Sequence, residues 1–174
     1  MKFDFNDAIQ ILERTPLVMK DQLSGLTQEW LSVNEGDGTW NPSEIICHMI
    51  HCEVDDWIPR MKIILSDDEN KKFKPFDRIY GFEKSKRQPI SELLAEFKVL
   101  RENNLQYLRS AGVSEESLLK KGIHPELGEV TLKELLATWA VHDLSHIAQI
   151  SRVLAKQYRD EVGAWKEYLP ILTK

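Results

Sequence analysis

From Thr131 to Gln157 one long stretch places Leu132, Leu135, Leu136, Trp139, Ala140, Ile147, Ile150, Val153 and Leu154 on a single stripe at the helical period. Thr131-Leu132-Lys133-Glu134 opens it with the spacing of a capping box. An apolar stripe of that length cannot face water, so the chain must supply other helices to cover it.

Three further segments have the same character. The first is expected near residues 6–24, with Ile9, Leu12, Leu17 and Leu23 apolar. Pro16 lies inside it, which implies a kink or a late start. The second opens at Asn41-Pro42-Ser43-Glu44, an N-cap followed by proline at the first helical position. It is expected over 42–65, with Ile45, Ile46, Met49, Ile50, Val54, Trp57, Met61 and Ile64 as its stripe and Pro59 as a kink. The third is expected over 90–110, with Leu93, Leu94, Phe97, Leu100, Leu105 and Leu108 recurring. Residues 66–88 read as a long charged connection. A short helix is possible at Glu115–Leu119, a turn follows at His124-Pro125-Glu126-Leu127-Gly128, and strand signal is nearly absent. The aromatic tail around Trp165 and Tyr168 is expected to fold back on the helices. The fold class is therefore all-α: a four-helix bundle with one long crossover connection, as a single domain over 1–174.

Composition removes several classes of function. Hydrophobic residues are 42% of the 174, neither a disordered nor a membrane composition. Apolar runs fall far short of the ~20 residues needed to span a bilayer. Acidic residues interrupt the N-terminal stretch where a signal peptide would be apolar, so a cytoplasmic location is expected. Net charge is −5, with no basic tract, so nucleic acid is not an expected partner. Cys47 and Cys52 sit five apart on one helix, point in different directions and are not expected to pair.

The chemistry concentrates in the histidines. His142 and His146 lie one turn apart on the fourth helix and flank its stripe, with Gln149 continuing the row. Such a pair can grip one metal ion, although two histidines four apart also arise in helices that bind nothing. On the second helix His48 lies nearer the stripe than His51; both are equally read as a partly exposed helical pair. Glu53 and Asp143 fall inside apolar stripes, where a carboxylate needs a partner. That partner is either a structural hydrogen bond or the second ring nitrogen of a metal-binding histidine. His124 reads as a surface residue in a turn, and Trp40 as a hydrophobic staple before the second helix.

Three pieces taken together, Trp40 to Glu53, Gly128 to Leu136 and His142 to Ile150, resemble the DinB-like superfamily of four-helix bundles, which includes thiol-dependent transferases. The tail from Val162 to Pro170 is similar to one branch of it. The resemblance implies a divalent metal held by His48, His142 and His146. Three neutral imidazoles suit Zn, Ni, Fe, Mn or Co, and each ring needs an acceptor for its other N–H, for which Asp143, Glu53 and Gln149 are the candidates. It implies an enzyme, a thiol S-transferase or a hydrolase, acting on a small electrophilic molecule. A low-molecular-weight thiol is a possible co-substrate and a homodimer the expected assembly. A metal-binding or dimerising bundle without turnover is the alternative.

Overall fold

The computed structural model describes residues 1–173. Helix α1 spans Phe5–Leu23, α2 Gln28–Ser32, α3 Pro42–Asp55, α4 Trp57–Leu65, α5 Phe82–Ser85, α6 Ile90–Ser110, α7 Glu115–Leu118 and α8 Leu132–Lys156. Helix α1 packs against α6 and α8, α3 packs against α6, and α3 with α4 closes the ring against α8. The four-helix architecture is thus the expected one.

The helix starts follow local chemistry. Asp4 caps α1 by accepting from the backbone N–H groups of Asn6 and Asp7. Asn41 and Glu44 form a reciprocal capping box at α3, and Thr131 and Glu134 form another at α8. Pro16 neither delays nor ends α1, which runs through it. A proline at that place offers no N–H to the Leu12 carbonyl. Arg101 Nη1 takes over that role and donates to Leu12 O at 2.8 Å. The segment expected as one helix over 42–65 is two. It breaks at Asp56, three residues before Pro59, which has no N–H to offer the Asp55 carbonyl four residues back and crowds it with its ring. Val54, assigned to the buried stripe, is instead half exposed.

The sequence reading also missed a hairpin. Strands β1 (Lys121–His124) and β2 (Gly128–Thr131) pair antiparallel, Ile123 opposite Glu129. Each is too short to show alternation. Its turn is organised by His124, whose Nδ1 accepts from the N–H groups of Glu126 and Leu127 at 3.2 Å each. The hairpin docks on the crossover: Phe73 N donates to Ile123 O, and Ile123 N to Lys71 O, both at 2.9 Å. Gly122 is the residue that permits this approach, because a Cβ there would stand 2.5 Å from Phe73 Cε1 and 2.9 Å from Ile64 Cγ1.

The tail returns to α8 as two 3₁₀ turns, Gly163–Tyr168 and Pro170–Leu172. Leu172, not the aromatics, provides the buried anchor; Trp165 and Tyr168 are 73% and 78% exposed.

The core comes in two halves. One gathers Leu12, Trp57, Met61, Leu105, Leu108 and Trp139; the other gathers Met19, Ile46, Met49, Leu93, Phe97 and Ile150. A buried polar layer lies between them in sequence on every main helix: Thr15, Glu53, Arg101 and Asp143, the last three charged. The two cysteines are free and buried, one in each half.

Candidate metal centre

His48 comes from α3, and His142 and His146 come from α8. Their ring nitrogens meet: one ligand atom from each lies within 4.8 Å of the other two. The Nε2 atoms converge, with His142 Nε2 standing 3.2 Å from His48 Nε2 and 3.1 Å from His146 Nε2. The edge of a tetrahedron of nitrogens around a zinc-like ion is about 3.3 Å, taking the usual metal–nitrogen distance.

The far sides of two of the rings settle their orientation. His48 Nδ1–H donates to the carbonyl oxygen of Arg78 at 3.2 Å. A carbonyl only accepts, so the proton of neutral His48 is on Nδ1 and the Nε2 lone pair points into the cluster. His146 Nδ1 is paired with Gln149 Oε1 at 2.8 Å. His142 Nδ1 is buried and has no hydrogen-bond partner among the described residues; the nearest acid, Asp143, has Oδ1 at 3.9 Å. Burial, with the adjacent imidazoles His146 and His142, lowers the His48 pKa to about 3. Burial with His142 lowers that of His146 to about 4. Both rings are therefore neutral at pH 7, the form that ligates metal.

The other sequence candidates divide. Gln149 contacts the triad directly. Glu53 and Asp143 do not reach a ring nitrogen within hydrogen-bond distance; both are held by Arg101, a residue the sequence reading did not single out. The guanidinium, 1% exposed, bonds Glu53 through Nε and Nη2, Asp143 through Nη1 and Nη2, and Leu12 O through Nη1. All five of its N–H groups have acceptors in this arrangement. Asn104 adds two bonds to Glu53. Burial alone would raise the Asp143 carboxyl, but the guanidinium outweighs it and holds the group below its ordinary range. Arg101 thereby joins α3 and α8, the two helices that carry the histidines. A signal for it existed: Arg101 falls between Phe97 and Leu105, on the apolar stripe of α6.

His51 and His124 stand apart from the triad. His51 pairs with Asp55 at 3.1 Å and stacks on Phe76. His124 organises the hairpin turn. Trp40 does more than open α3. Its ring centroid lies 4.7 Å from that of His48 and 6.0 Å from that of His146, in the second case stacked at 9°.

The triad sits in a cleft of about 530 Å³ whose walls include Trp57, Phe73, Phe76, Leu127 and Leu135. These come from α4, the crossover, the hairpin turn and α8, so the hairpin absent from the sequence reading builds one wall. Polar groups line it too, among them Cys52, Asp56 and Arg60. His48 and Cys52 lie one turn apart on one face of α3, and Asp56 follows four residues later at the break between α3 and α4. Cys52 Sγ lies 3.5 Å from His48 Nε2 and 3.9 Å from His142 Nε2. Burial pushes its thiol well up, and the carboxylates of Asp56, Glu53 and Asp143 add to the shift. Asp56 pairs with Arg60 Nε at 2.5 Å, and burial raises its carboxyl.

Comparison with known proteins agrees with this architecture. A protein of Oceanobacillus iheyensis, named as a proposed metal-dependent hydrolase, is 24% identical over 87% of each chain. YfiT of Bacillus subtilis, which carries the same description, is 24% identical over 83% of this chain and 81% of its own. The solved structure of YfiT, described as an unusual four-helix bundle topology, superposes with a TM-score of 0.76 over 90% of this chain and 89% of that one, at 22% identity. The family model for the DinB superfamily matches residues 11–150, and the chain belongs to that superfamily.

Proposed function

We propose that this chain is a metal-dependent hydrolase acting on a small, largely apolar electrophile. The observation that carries the reading is the convergence of three Nε2 atoms, one of them fixed as a lone-pair donor by the Arg78 carbonyl. The metal-dependent description of the relatives supports it. Three neutral imidazoles suit a divalent ion of the zinc, nickel, iron, cobalt or manganese group. Bound there, such an ion supplies an acidified water and a Lewis acid for a carbonyl or phosphoryl oxygen.

The remaining work belongs to the protein. Gln149 and the Arg78 carbonyl hold two of the rings by their outer nitrogens. Trp40, Trp57 and Phe76 make the surroundings apolar, which strengthens every polar interaction inside. Asp56, kept in place by Arg60, is a carboxyl in the same cleft with its pKa raised by burial, suited to exchange a proton with a substrate.

A thiol S-transferase would use the same triad and differ in its co-substrate. The two separate in one experiment. Protein loaded with each candidate metal, and protein stripped by chelator, are given activated esters and amides, then an electrophilic aryl halide with and without a low-molecular-weight thiol. Metal-dependent ester or amide hydrolysis, abolished in His142→Ala, is the expected result. Turnover only with thiol would move the assignment to a transferase. Stoichiometric metal without any turnover would make the bundle a metal-binding protein and overturn the hydrolase reading.

A further inference from the structure

We propose that Cys52 is a fourth protein donor to the metal, making the centre a three-nitrogen, one-sulfur site. The inference rests on the metal reading of the triad and goes beyond it. Cys52 follows His48 by one helical turn, so α3 aims both side chains at the same place. The thiol is 1% exposed. Its only polar neighbours within bonding distance among the described residues are two of the converging atoms, His48 Nε2 at 3.5 Å and His142 Nε2 at 3.9 Å. An ion at ordinary metal–sulfur and metal–nitrogen distances separates tetrahedral sulfur and nitrogen donors by about 3.6 Å. The sulfur therefore flanks the His48–His142 edge near the spacing a shared ion requires; it stands outside the group of donors that all lie within 4.8 Å of one another, so sharing the ion with His146 takes a rotation of the Cys52 side chain.

Burial alone does not explain this placement. Cys47, on the same helix and equally buried, lies in the other half of the core and lines no part of the cleft. Cys52 faces the lone pair of His48, whose outer nitrogen is already committed to the Arg78 carbonyl. A cation at the centre of the triad would attract the sulfur as it attracts the nitrogens.

On binding, the S–H bond breaks, a metal–sulfur bond forms and the proton leaves to solvent. The centre then carries one negative donor beside three neutral ones. A soft donor favours zinc, cobalt or nickel over manganese. An ion that expands to five ligands keeps a position for water on the cleft side.

Cobalt(II) titration of the purified, reduced protein tests this, because a thiolate ligand adds a near-ultraviolet charge-transfer band that three imidazoles alone do not give. The band is expected in the parent and in Cys47→Ser, and lost in both Cys52→Ser and Cys52→Ala while the visible d–d bands of bound cobalt remain. Cobalt bound with d–d bands but without the charge-transfer band in the parent would overturn the Cys52 assignment and leave the three-histidine site standing. A band that survives both Cys52 substitutions would do the same. No cobalt binding at all would remove the metal reading itself. Circular dichroism of each variant verifies that the helices are intact.

Discussion

Arg101 donates a hydrogen bond to the carbonyl oxygen of Leu12, the acceptor that Pro16 leaves without its helical partner. The same guanidinium neutralises Glu53 and Asp143. One side chain thus repairs a helix defect in α1 and ties α3 to α8. Replacement by Met would leave two carboxylates buried without a cation and Leu12 without a donor. Breaking a buried ion pair from one side costs about 3–5 kcal/mol. Urea denaturation of Arg101→Met at pH 7 is expected to show a loss of that size. A loss under about 1 kcal/mol would mean that water reaches the layer and the network is not sealed.

Metal affinity should divide the five histidines by geometry. His48→Ala, His142→Ala and His146→Ala each remove one of three converging nitrogens, and each is expected to lose at least tenfold in affinity for zinc. His51→Ala and His124→Ala should bind as the parent does, since their rings pair with Asp55 and with the hairpin backbone. Competition against a chromophoric chelator measures all five. Parent-like affinity in any of the first three would break the assignment.

Gln149 orients His146 from behind, without touching the metal position. Loss of such a partner costs roughly 10–100-fold in affinity. Gln149→Leu keeps the size and removes the acceptor, so it should weaken zinc binding within that range and leave the thermal midpoint of the metal-free protein nearly unchanged. Equal effects on both would reduce Gln149 to a packing residue.

The metal-free protein should be acid-sensitive well above the carboxylate range. Unfolded histidines take protons below a pKa of about 6.5. Folded His48 and His146 resist until about 3 and about 4 because burial penalises their charged forms. The unfolded state therefore binds more protons between these limits, and stability, complete above pH ~6.5, falls as pH drops toward 4. Asp143, held below its ordinary pKa by Arg101, adds a second loss only under pH ~4. Burial raises the carboxyls of Asp56 and Glu53, which offsets only part of this loss. Urea midpoints measured in chelator at pH 8, 6 and 5 should decline steadily; a flat profile to pH 5 would contradict the burial of these rings.

Gly122→Ala tests how the hairpin is seated. The added methyl would meet Phe73 and Ile64 at distances no pair of carbons tolerates. Overpacking of this kind costs about 1–3 kcal/mol. The variant should be destabilised by that amount, and the cleft wall beside Phe73 should show faster amide exchange at Ile123. A stability equal to the parent's would show that the crossover yields freely.

The helical segments and their starts were legible because they depend on contacts within a few residues. Asn41 with Glu44, and Thr131 with Glu134, close their capping boxes locally, and the stripe of α8 repeats every turn. Proline is also local chemistry, yet its outcome was not. Pro59 breaks a helix and Pro16 does not, because only Pro16 has a guanidinium from another helix beside the carbonyl it orphans. The pairing of His142 with His146 follows from one turn of one helix. Their meeting with His48 requires α3 and α8 to be brought to one height, which the buried Glu53–Arg101–Asp143 layer does. A sequence displays each of these charges as an anomaly on its own stripe. That the three anomalies cancel one another, that a backbone carbonyl in the crossover fixes the His48 proton, and that a short hairpin walls the cleft are decided by contacts tens of residues apart, where no local period exists to record them.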